Sequence, residues 1–150
     1  MSVNAAFARD ENFVPIQGLG FTASKAITYS ALTTGATGTT TLFTVTGVVA
    51  VRLFGVVSGT NITGSGTIEA GIAGNTAALL AQTTGTDLDV GDIWIDASAP
   101  ATVEALPALS ILAAGTDIIQ TIATDTLTAG TLTYYCLWFP ISSDGNLVAA

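Results

Sequence analysis

The side chains that most often carry chemistry are scarce in this chain. Its 150 residues contain no histidine, which excludes His-based catalytic triads and His-dependent zinc sites. Cys136 is the single cysteine, without an imidazole partner or companion thiols, so no internal disulfide can form. It sits within the apolar run Leu132–Phe139, where a buried, inert thiol is expected; an intermolecular disulfide or reactive thiol is the alternative. The Gly/Thr segments GTTTLF and GVVSGTNITG have neither GxxxxGK[ST] nor GxGxxG spacing and read as turns. A phosphate site assisted by lysine or arginine has only Arg9, Lys25 and Arg52 to draw on.

The carboxylates give one cluster worth weighing. Asp87, Asp89, Asp92 and Asp96 are hard oxygen donors of the kind that hold calcium. The EF-hand glycine and terminal glutamate are missing from their spacing, and a solvated acidic turn is the simpler reading. Glu69, Glu104, Asp92 and Asp96 could supply a glycosidase pair, but nothing in the sequence sets two of them face to face. Asn61-Ile62-Thr63 matches an N-glycosylation acceptor and reads as a polar turn. Trp94, Tyr134, Tyr135 and Trp138 could form a sugar-binding platform, although aromatic residues on strands more often fill cores or interfaces. The sequence therefore assigns no catalytic, cofactor-binding or metal residue, and the chain is expected not to be an enzyme and to need no cofactor.

Composition narrows the partners. Charged residues are 9% of the chain and hydrophobic ones 49%, against about 25% charged in an ordinary soluble domain. Threonine, serine, alanine and glycine take the place of charge. A secreted protein with a hydroxyl-rich exterior fits this, and so does a subunit whose surface is largely covered by copies of itself or by a lattice. With 3 basic and 11 acidic residues the formal net charge is −8. Nucleic acid is excluded as a partner for want of a basic footprint, and anionic membrane surfaces are disfavoured for the same reason. The start MSVNAAFARDENF lacks a basic region followed by an apolar core, so no classical signal peptide is expected. No apolar run approaches the length of a membrane helix.

The elements that would position these side chains are short and β-like. Residues 1–24 are expected to form an N-terminal arm in which Phe7, Phe13 and Phe21 anchor onto a neighbour or onto the domain itself; partial disorder is the alternative. Residues 25–141 read as a β-sandwich domain and 142–150 as a C-terminal tail. Strands are expected over Ala26–Leu32, Thr39–Thr46, Val48–Val57, Gly66–Ala73, Asp92–Asp96, Ile118–Thr124 and Gly130–Phe139. Ala77–Gln82 is the best short-helix candidate, with an edge strand as the alternative. Pro107 argues against one continuous helix over Pro100–Ala114. Val48–Val57 is apolar on both faces, so an arm or another subunit should cover its second face. Segments around Asp87–Gly91 and Asp125–Gly130 share an Asp before a glycine that precedes a strand, the chemistry of a corner. The rhythm favours an all-β, antiparallel, jelly-roll-like sandwich.

TLFTVTGVVAVRLFGVV (Thr41–Val57), GTIEAGIAGNTAALLAQTT (Gly66–Thr84), DVGDIWID (Asp89–Asp96) and LTYYCLWFP (Leu132–Pro140) together resemble the small structural proteins of tailed-bacteriophage virions. The resemblance spans about two-thirds of the chain and rests on segment order and style. It implies a virion component without catalytic residues. The expected role is a capsid decoration or cement protein on the capsid surface, assembled in the host cytoplasm. Such a subunit would be a homo-oligomer, expected as a trimer, clamping the major capsid protein or another virion protein through contact area and its arm. A fibre- or tail-associated module binding a receptor or glycan is the alternative.

Overall fold

The computed structural model describes residues 20–98 and 100–150. Most of the expected arm, residues 1–19, lies outside the described residues. The described residues form ten strands: β1 (Phe21–Thr28), β2 (Gly38–Thr46), β3 (Val49–Val57), β4 (Thr67–Ile72), β5 (Asn75–Thr84), β6 (Ile93–Trp94), β7 (Ser110–Leu112), β8 (Ile118–Ala123), β9 (Thr131–Pro140) and β10 (Asn146–Ala149). They make two antiparallel sheets. The first has the order β1-β9-β3-β6, with β7 also on β3, and the second β10-β2-β8-β4-β5. The expected all-β antiparallel sandwich is therefore present.

Alternation builds the core. In β9, Leu132, Tyr134, Cys136 and Trp138 are buried while the residues between them are half-buried on the opposite face. β3 opposes it in register, Arg52 to Leu137 and Phe54 to Tyr135, and sends Val49, Val51, Leu53 and Val57 inward. The second sheet answers with Phe43, Val45, Ile68, Leu80, Ile118 and Ile122. Leu42 and Phe43 are both buried although adjacent, because a register shift between Thr41 and Phe43 breaks the alternation there.

Among the described residues, one polar side chain sits in this core. Gln120 of β8 is 1% exposed, and its Oε1 accepts hydrogen bonds from the Tyr29 hydroxyl at 2.7 Å and the Tyr134 hydroxyl at 2.8 Å. Tyr134 belongs to the first sheet and Gln120 to the second, so the pair pins one sheet to the other. Burial pushes both tyrosine hydroxyls well above their ordinary titration range.

Several sequence expectations change. Ala77–Gln82 is part of edge strand β5, not a helix; six residues give a helix too few internal hydrogen bonds, whereas pairing with β4 satisfies the backbone. Within Pro100–Ala114 only Ser110–Leu112 is a strand. The first strand begins at Phe21, inside the stretch assigned to the arm, and pairs Phe21 through Thr28 with β9. The stretch 142–150, read as a tail, carries β10, whose Leu147 is buried against the second sheet. The two corners with the Asp-to-Gly pattern do precede strands, and Gly91 and Gly130 adopt φ of +93° and +103° there.

Candidate interaction surface

The two sheets present different outer faces to solvent. The outer face of the second carries the exposed Thr44 and Thr46 of β2 and the half-buried Glu69 of β4, with Ile119 and Thr121 of β8 and Val148 of β10 among them; the Thr121 hydroxyl is itself buried. Glu69 there accepts hydrogen bonds from Thr76 Oγ1 and, at 3.2 Å, from Gln82 Nε2. That face is hydroxyl-rich, as a wetted face of an antiparallel sheet should be.

The outer face of the first sheet is apolar through its middle. β9 contributes Tyr135, Leu137 and Phe139, and the β3 residues opposite them are Phe54, Arg52 and Ala50. Phe54 and Tyr135 stack with ring centroids 5.4 Å apart and planes 21° from parallel. Ala50 is almost fully covered by its neighbours on this face, with Ile111 of β7 on one side and Phe139 on the other. The doubly apolar character of β3 thus survives in three dimensions, and its second face looks outward. Arg52 is the one basic residue set into the stripe. Its Nε is buried and has no hydrogen-bond partner among the described residues.

Beside the stripe, the loop leading to β7 exposes Val103, Leu106 and Leu109, and β7 itself exposes Ile111 at 69%. Leu106 and Pro107 lie over Phe54, Ile93 and Ile95, enclosing a dimple of about 180 Å³ with Glu104 at its rim. Loop and stripe together make a continuous apolar area on one side of the sandwich, of the kind that marks a contact surface. Sequence reasoning identified β3 as apolar on both faces. It missed the loop residues, whose exposure has no periodic signal.

The residues weighed for chemistry are dispersed. Trp94 and Tyr134 are fully buried, and Trp138 is 8% exposed against Phe21 at a ring-centroid distance of 4.9 Å. Of the four aromatics only Tyr135 looks outward, so no sugar-stacking platform forms from them. Trp94 Nε1 is buried and has no hydrogen-bond partner among the described residues. Asp89 and Asp92 hold a corner: Asp92 Oδ2 accepts from the Asp89 amide at 3.0 Å, and Asn61 donates to Asp89 while accepting from the Val90 amide at 2.8 Å. Asp96 caps its own turn by accepting from the Ser98 amide at 2.7 Å. Among the described residues, no group of three or more His, Cys, Asp or Glu side chains could hold a metal ion. Glu69 lies on β4 of the second sheet, and Glu104 lies in the loop beside the first sheet, near Phe54 and Ile93. Cys136 is fully buried, and burial pushes its thiol up to about 12. Among the described residues no helix is long and apolar enough to cross a membrane.

No protein-family model matches the chain, and no curated protein matches it. Among solved structures it is similar to a chain described as "Cyanophage Pam1 capsid asymmetric unit", at 18% identity and a TM-score of 0.44, over 85% of this chain and 91% of that one.

Proposed function

We propose that the protein is a structural virion subunit that decorates and stabilises a bacteriophage capsid by cohesive contact. The observation that carries this reading is the apolar side of the sandwich, where Leu106, Leu109 and Ile111 stand exposed next to the outer face of the first sheet. An ordinary monomer keeps such surface charged, and this chain has few charges with which to do so. The hydroxyl-rich second sheet would face solvent, and the apolar side would face a neighbour. Binding only the assembled shell would stabilise it by mass action.

The two antiparallel sheets are compatible with this reading without selecting it, because one fold hosts many functions; the choice between an assembly subunit and a lectin-like module rests on the surface. The lectin-like alternative needs outward aromatics, and three of its four candidates are in the core. The segments Thr41–Val57 and Leu132–Pro140, which carry the resemblance to virion structural proteins, form β3 and β9 at the centre of the first sheet.

Sedimentation of the purified chain at micromolar concentration tests the reading. It is expected to run as a small closed oligomer, a trimer in our reading. Ile111→Lys combined with Leu106→Lys should convert it to a monomer that keeps the native β-sheet circular dichroism, with a melting temperature that no longer depends on concentration. A native chain that is monomeric and does not bind assembled shells would overturn the reading, as would specific hits on a glycan array.

A further inference from the structure

We propose that the neighbour covering the apolar side is a second copy of this chain, oriented by an ion pair between Arg52 of one subunit and Glu104 of the next. This rests on the assembly role proposed above and names the partner at that same surface. The inference starts from an unmet donor. Arg52 stands on the outer face of β3, between Ala50 and Phe54 and opposite Leu137. Its Nε is buried and has no hydrogen-bond partner among the described residues. A buried charged donor without an acceptor is unfavourable. A carboxylate is the acceptor that best suits a guanidinium, because its two oxygens match two parallel N–H donors.

The same surface supplies an acceptor. Glu104 is exposed at the rim of the dimple that Phe54, Ile93 and Leu106 help to form, and among the described residues no other carboxylate lines it. Phe54 follows Arg52 on the same face of β3, about 7 Å along the strand. Stripe and dimple together thus hold one cation and one anion in apolar surroundings, which makes the patch neutral and self-complementary. Neutrality matters on a chain of net charge −8, because two acidic copies repel unless opposite charges meet at the contact. A rotation axis passing between Arg52 and Glu104 sets each on its opposite number in the adjoining subunit, in a closed ring of two or of three. The exposed Leu106, Leu109 and Ile111 then pack on the neighbour around the pair, excluding water from it as the rim of a hot spot does.

A zero-length cross-link reads the pair directly. Arg52→Lys keeps the positive charge and supplies an amine that a carbodiimide joins to the Glu104 carboxylate as an amide. After treatment of the full chain, the peptide joining positions 52 and 104 should be recovered from the band of twice the chain mass on a denaturing gel. Recovery from the single-chain band alone shows pairing within one chain and overturns the proposal. Its absence from a protein that sediments as an oligomer overturns the pair and leaves the assembly role standing, whereas a native chain that sediments as a monomer removes both. Charge reversal gives a second reading. Glu104→Arg should raise the dissociation constant of the oligomer at least about tenfold by setting like charges together, and adding Arg52→Glu should bring it back to within about threefold of the native value. Glu104 is on an exposed loop, so Glu104→Arg decides the matter if Arg52→Lys fails to fold. A dissociation constant unmoved by Glu104→Arg overturns the proposal.

Discussion

Replacing Gln120 by leucine should destabilise the sandwich far more than a near-isosteric core exchange ordinarily does. Gln120 is 1% exposed, and its Oε1 is the acceptor for both the Tyr29 and Tyr134 hydroxyls. Leucine is of similar size, so the cavity contribution is small and the loss is that of the acceptor. Each buried hydroxyl left unsatisfied costs about 1–3 kcal/mol. The two hydroxyls are close enough to influence each other's ionisation, and they can pair once the amide is gone, which leaves one orphan. A net loss of about 1–3 kcal/mol follows, a large share of the roughly 5–15 kcal/mol that holds a typical domain. With a urea slope of about 2 kcal/mol/M for a chain of this size, the unfolding midpoint should fall by roughly 0.5–1.5 M. The decisive comparison is the triple variant Gln120→Leu, Tyr29→Phe, Tyr134→Phe. Removing both donors along with the acceptor leaves nothing unsatisfied, so the triple variant should be more stable than Gln120→Leu alone. A single variant within about 0.5 kcal/mol of the native protein would refute the reasoning, because surface-like changes already scatter that much. A triple variant no more stable than the single one would do the same.

Alkaline pH should weaken the fold in two stages. The Cys136 thiol is pushed up to about 12 in the folded state, so the unfolded chain releases that proton first, and stability falls from about pH 9 to about pH 12. Tyr29 and Tyr134 are raised by burial from 10.0 and add to the slope above about pH 10, each by up to about 1.4 kcal/mol per pH unit. Urea midpoints measured from pH 7 to 11 should be flat and then decline, and a midpoint that rises over this range would contradict the burial of these groups. Gly130→Ala should cost about 2 kcal/mol or more, since φ is +103° and the new Cβ would meet the Asn61 carbonyl oxygen at 2.7 Å. Gly74→Ala has open space around it and no such φ, so thermal melting should show it neutral or stabilised by up to about 1 kcal/mol. Native Cys136 should resist alkylation until the protein unfolds, as a thiol-reactive dye would report.

Much of this protein follows from residue order alone. The absence of histidine and the lone cysteine removed whole classes of chemistry before any geometry was known, because a missing residue type is missing in every fold. The strands β2, β3, β4, β8 and β9 were legible within a residue or two, since alternation of apolar and polar side chains is a local property. The two-faced apolarity of β3 pointed to a covered surface for the same reason. Tertiary structure decided the rest. Only pairing with β4 could tell that Ala77–Gln82 is a strand, as its alanines and leucines suit either backbone and long-range hydrogen bonds override propensity. Only the register of β9 against β3 could show that Tyr134 turns inward to Gln120 while Tyr135 turns outward to Phe54. Adjacent residues of a strand face opposite ways, and composition does not say which way is in. The apolar side of the molecule likewise exists only because folding brings the 103–111 loop beside β3, which is about fifty residues away in the chain.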